Sequence, residues 1–349
     1  MRGGERHEFS LGGDANHEAA MTTDAELAAY GPYLLPEGVT VTEPETELDY
    51  GDAEGHYYGY IYVRDVQRAA LADGAYAVDL TTTLADGAAG AGARIHGLTG
   101  GESELFLGRS PSLRATRTEG TSKDTNDEAA KYWLPRLVVR REGADLATDF
   151  VTLIEPTPPG EQPRIASIEQ VDHDGPEGTI AVRATHTDGT VDIIISAPSD
   201  DATVTAAGIT LTGKLGFVRL VDGQAAGMHL GGGAALSGGG AALEGEGPVT
   251  GTVTGTTRTD AGDATNAFLT DATVPDWVAG HALVVTRPDG KTHPYAIAAV
   301  SAIEGGTAIE LESTDPGFVV DGEVSSLTFL PHTVWEGETT FRIENSASS

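Results

Sequence analysis

The residues of this 349-residue chain best suited to chemistry lie between positions 56 and 117. In GHYYGYIYVRD, read as an extended strand, the two-residue period puts His56, Tyr58, Tyr60 and Tyr62 on one face and Tyr57, Ile61 and Val63 on the other. An imidazole beside a stripe of phenols can stack on a sugar ring and exchange protons with it. The same stripe also suits a half-buried edge strand whose hydroxyls stay wet. His96 follows in ARIHGLTGG, and Arg109, Arg114 and Arg117 follow in GRSPSLRATR. Guanidinium forks match carboxylates and sulfates. His56, Tyr58, Tyr60 and His96 are therefore the candidate catalytic groups, and Arg64, Arg109, Arg114 and Arg117 the candidate substrate-binding groups. Pairing with Glu102, Glu104 and Asp124 is the alternative use of the arginines.

Other chemistries find little support. None of the ten histidines stands in a short ligand spacing such as H-E-x-x-H, so no metal site is signalled, and His7 and His17 read as solvated surface residues. The chain has no cysteine, which excludes disulfides, zinc–thiolate sites, iron–sulfur clusters and thiol nucleophiles. GRSPS has glycine on one side only and is no nucleophile elbow. GGGAALSGGG lacks the Lys-Ser/Thr ending of a phosphate loop and reads as tight turns between small-residue strands. No cofactor is expected. Acidic residues are too abundant to nominate a glycosidase pair without distances.

Elements able to position these groups read as strands from about residue 55 onward: Tyr57–Val66, Gly74–Leu84, Leu134–Arg140, Phe150–Glu155, Ile165–Val171, Thr179–His186 and Val191–Ser196. Asp73-Gly74, Asp174-Gly175 and Asp188-Gly189 punctuate them, and ATHTDGTVDIIIS has the form of a hairpin around Asp188-Gly189. Brief strands separated by turns continue to Thr340–Ile343. Helical periodicity is nearly absent; Thr22–Tyr30 is the best helix candidate, stopped by Gly31-Pro32. The expected class is all-β: a flexible or partly ordered arm over 1–50, an antiparallel β-sandwich over 51–200, and a smaller β-rich module over 201–349, with no helical toroid.

Charge limits the partners. With 53 acidic against 21 basic residues the formal charge is -32, which opposes binding to nucleic acid. The excess is spread along the chain and resembles that of proteins from salt-loving organisms, where screening at about 1 M salt shortens the Debye length to about 3 Å. No apolar run approaches eighteen residues, so no membrane span is expected. Residues 1–30 lack an apolar core after a basic start; the expectation is no secretion signal here, with a cytoplasmic site or export as part of a larger parent.

The order of segments resembles the β-sandwich half of heparinase II/III-type polysaccharide lyases over roughly residues 56 to 343. The likeness rests on Tyr62-Val63-Arg64-Asp65-Val66, DGAYAVDLTTTLADG, RIHGLTGGESELFLGRSPSLR, Arg140-Arg141-Glu142-Gly143, Phe150-Val151, Glu155-Pro156, and the tail from Asp315-Pro316-Gly317-Phe318 through LTFLPHTVWEGETTFRI. It implies β-elimination on a uronic-acid polysaccharide: a base removes the C5 proton, the carboxylate is neutralised, and the 4-linked sugar leaves. In that family the principal His and Tyr sit in an N-terminal helical toroid. The resemblance thus implies a half that needs a helical domain or separate chain as partner. The alternative is a non-catalytic carbohydrate-binding or structural envelope protein.

Overall fold

The computed structural model describes residues 4–12, 18–36, 38–42, 58–111, 133–312, 314–327 and 332–349. Among them the chain is all-β and antiparallel, with short 3-10 turns and no α-helix, hence no helical toroid. Among the described residues no helix is long and apolar enough to cross a membrane. Two compact units are formed: one up to Glu169 with Ala184–Asp188, the other Gln170–Arg183 with Gly189–Ser349.

The first unit is a sandwich of β1 (Arg6–Gly12), β2 (Glu18–Thr23), β3 (Ala28–Tyr33), β4 (Arg64–Leu71), β5 (Tyr76–Thr83), β6 (Gly92–Leu98), β7 (Ser103–Pro111), β8 (Trp133–Glu142) and β9 (Val151–Thr157). One sheet runs β1-β8-β7-β4-β3 and the other β2-β5-β6-β9. Side chains alternate along each strand. Leu105, Leu107, Leu137 and Val139 therefore meet Tyr76, Val78 and Ile95 between the sheets. Phe106 and Val138 point the opposite way and are covered by Leu34, Val63 and Val66. Apolar burial on both faces explains the unbroken runs LFL and LVV, which one-sided strands would not carry. At Gly97 an added Cβ would fall 1.9 Å from the Tyr76 ring, so only glycine admits that aromatic into the core.

Two sequence expectations are corrected in this unit. The Thr22–Tyr30 segment is not helical: β2 ends at Thr23 and β3 begins at Ala28, and together with β1 they bring the expected N-terminal arm into the sheets. A nine-residue helix is marginal alone. Here β5 and β4 supply ladder partners along both strands, and the Thr23 hydroxyl bonds the Ala77 carbonyl at 2.7 Å. Nor is Tyr57–Val66 one strand. Tyr58–Tyr62 forms a 3-10 turn, and extension begins only at Arg64. The turn buries Ile61 against Leu35, and the Leu34 amide bonds the Tyr60 and Val63 carbonyls, so the aromatic run caps a sheet face and does not join an edge.

The second unit holds two cores. A long hairpin of Ile209–Val221 and Gln224–Gly238 carries the first, with Val191–Ser196, Thr203–Ala206, Ala241–Glu244 and Ser346–Ser348 beside it. Ile193, Ile195, Val204, Leu211, Val218 and Leu230 fill it. Gly231–Gly233, expected as a turn, lies inside the strand: a Cβ on Gly233 would stand 2.4 Å from the Cα of Gly213, so the tract permits close backbone approach. Gly238–Gly240 does close a turn, and Gly189 takes φ 88° between Ile180–His186 and Val191–Ser196. In the second core, Val249–Val253 and Gly255–Thr257 are one line of chain pairing first with Thr339–Ile343 and then with Ala267–Thr270. The ladder continues through Ala282–Thr286, Thr292–Ile303 and Gly306–Leu311 back to Ala267–Thr270, closing a six-stranded barrel around Phe268, Leu283, Ile297, Ile309 and Phe341.

Candidate functional site

The inward-facing rows of three neighbouring strands turn from apolar to polar toward one end of the sandwich. Along β7, Leu105 and Leu107 are followed by Arg109. Along β8, Val139, Leu137 and Pro135 lead back to Trp133, and along β4, Leu71 and Ala69 lead back to Gln67. Asp65 completes the β4 row after a bulge, where the ladder to β7 slips between Arg64 and Gln67. The polar ends of these rows, Asp65, Gln67, Arg109 and Trp133, with Leu107, Pro135 and Glu18 and Met21 of β2, line an open cleft of about 590 Å³. The core stops here because the inward positions no longer supply apolar side chains.

Register brings the charges together: Arg64 stands opposite Arg109 on adjacent strands, and Pro111 opposite Trp133. The Arg109 guanidinium carbon lies 4.7 Å from the Trp133 ring centre, and its Nε donates to the Asp65 carboxylate. Arg64 lies 5.8 Å from the same indole and 5.6 Å from Tyr33. Two like charges on facing strand positions repel; the aromatic faces and Asp65 offset that repulsion. The result is a pair of guanidiniums around an indole, of which Arg109, Trp133 and the Asp65 carboxylate line the open cleft, while Arg64 and Tyr33 are not among the lining residues. Such groups hold ligands with planar or ring faces and acidic or hydroxyl substituents.

The other sequence candidates fall elsewhere. Tyr60 sits over the opposite face of the five-stranded sheet, where its hydroxyl donates to Glu8. Glu8 also accepts from the Nε of Arg140 at 2.5 Å, and Arg140 lies 4.7 Å from the Phe106 ring and 5.9 Å from that of Tyr60. Burial, followed by the bond to Glu8, raises the Tyr60 pKa, which disfavours the phenolate a base would need. His96 is in β6, only 3% exposed, and burial followed by the Arg94 charge lowers its pKa. Its Nε2 is enclosed without a hydrogen-bond partner. Neither group lines the cleft. His56, Arg114 and Arg117 lie outside the described residues, as does the side chain of Tyr58. Among the described residues no group of three or more His, Asp or Glu side chains is arranged to hold a metal ion.

Of the sequence-selected groups the structure therefore joins Arg64 and Arg109, and adds Trp133, Tyr33, Asp65 and Gln67. A signal for Trp133 and Gln67 was present in the pattern. Trp-x-Pro-x-Leu-x-Val and Asp-x-Gln-x-Ala-x-Leu are single-face rows that grow polar or amphipathic at one end. The sequence matches no protein-family model and no curated protein.

Proposed function

We propose that the sandwich unit binds acidic saccharides at this cleft, as one wall of a uronate-polysaccharide lyase of heparinase II/III type whose base comes from a helical partner. The reading is carried by Arg109 and Trp133, which line the 590 Å³ cleft, with Arg64 against the same indole. That volume falls within the range of small-ligand sites. An indole face suits a pyranose ring, and paired guanidiniums suit a sugar carboxylate and would counter charge developing on it during C5 proton removal. Elimination also needs a base near neutral pKa. Tyr60 and His96 lie away from the cleft, so within this reading the chain binds and a partner completes the chemistry.

The whole-chain charge of -32 opposes anionic ligands at long range, and salt near 1 M confines that opposition to about 3 Å. The test is therefore made in concentrated salt: titrate the chain with uronic-acid oligosaccharides by tryptophan fluorescence and calorimetry while following absorbance of the unsaturated product. Binding without turnover, lost on Trp133→Ala, is expected. Turnover by the chain alone would refute the need for a partner, and absence of binding would refute the saccharide site.

A further inference from the structure

We propose that Asp65 determines the ligand preference of the cleft by holding Arg109 as a built-in carboxylate, which a uronate must displace and a neutral sugar need not. This deepens, and rests on, the saccharide reading of the cleft. Four described non-glycine residues adopt the left-handed region: Asp65, Asp145, Ala207 and Asp222. The last three lie in turns between elements; Asp65 alone, at φ 52°, lies within a strand. Strain inside a strand persists only where its surroundings impose it, and it concentrates at functional positions. Here β4 is paired on both sides, with register slips on each, and the bulge puts the Asp65 carboxylate on Arg109.

The pair is built to open. Its side chains are 47% and 62% exposed, and an ion pair so exposed to water contributes little net stability. Among the described residues Asp65 is the sole hydrogen-bond partner of Arg109. A ligand carboxylate offers Arg109 the same chemistry as Asp65 and competes with it directly. A neutral sugar leaves the pair intact and can donate its hydroxyls to Asp65. Asp65 therefore weakens uronate binding and supports neutral-sugar binding at one site.

The experiment uses the full chain, Asp65→Asn and Asp65→Gly, titrated with a glucuronate-containing disaccharide and its all-glucose counterpart. The glycine variant accepts φ 52° without strain, so it separates loss of charge from disturbance of the backbone. Both variants should bind the uronate about three- to tenfold more tightly and the neutral disaccharide more weakly, with a melting temperature no lower than that of the wild type. Wild-type uronate binding that stays the same or weakens in both variants would overturn the role of Asp65 while leaving the saccharide site standing. Failure of every form to bind either sugar would overturn both.

Discussion

On one face of the five-stranded sheet Arg140 lies between Phe106 and Tyr60 with Glu8 at 2.5 Å, and its side chain is 3% exposed. At the cleft Arg109 lies against Trp133 and pairs with Asp65, and is 47% exposed. The groups are the same: a guanidinium, a carboxylate and an aromatic ring. What differs is water. An ion pair deep in low dielectric is strongly coupled and costly to break, whereas the same pair in water is nearly neutral to stability and ready to exchange partners. The first cluster fastens the 3-10 turn Tyr58–Tyr62 onto the sheet, and the second stays available to a ligand.

The sharpest way to break this contrast is Arg140→Ala, which leaves the Glu8 carboxylate facing an apolar sheet surface and should lower stability by about 3–5 kcal/mol in chemical denaturation. Arg109→Ala should change the same measurement by less than about 1 kcal/mol. Equal losses at both positions would remove the distinction. Next in size, Trp133→Ala should weaken saccharide binding roughly tenfold, about 1.4 kcal/mol, with the melting temperature held; a loss of stability without change in binding would recast the indole as packing. Tyr60→Phe removes one bond to Glu8 and should cost about 1 kcal/mol of stability while leaving binding untouched.

The smallest expected effect is a slope. Burial lowers the His96 pKa in the folded chain below the unfolded value near 6.5, so the unfolded state takes up the proton first on acidification. Stability is then unaffected by His96 above that value and falls as pH drops through the window between the unfolded and the lowered folded pKa. The limit is about 1.4 kcal/mol per pH unit for one proton. His96→Gln should flatten the acid limb of a stability–pH curve, and an unchanged limb would show that other groups set it.

Most strands could be read from the chain because apolar and polar residues alternate with period two and Asp-Gly pairs mark the turns, as at Gly189. Tyr57–Val66 defeated that reading: its aromatic residues suit a strand by propensity, yet the Leu34 amide and the Glu8 carboxylate draw Tyr58–Tyr62 into a 3-10 turn. Gly231–Gly233 defeated it too, since glycine marks a turn or a close crossing equally well and only the neighbouring Gly213 distinguishes them. For the site, Arg64 and Arg109 stood out as rare cations. Asp65 did not, because its meaning depends on a residue 44 positions away and on a bulge that turns its carboxylate toward that residue.

Composition and periodicity were sufficient to determine an all-β chain, the residues that share a face in most strands, and the absence of thiol chemistry. These follow from side-chain chemistry and a two-residue repeat, both local properties. Which arginine would be sealed and which left in water was decided only by assembly of the sheets. Arg140 and Arg109 lie on adjacent strands but on opposite faces of the sheet, and their exposure depends on the chain that packs over each. The energy of an ion pair follows that exposure, so its role is settled in three dimensions.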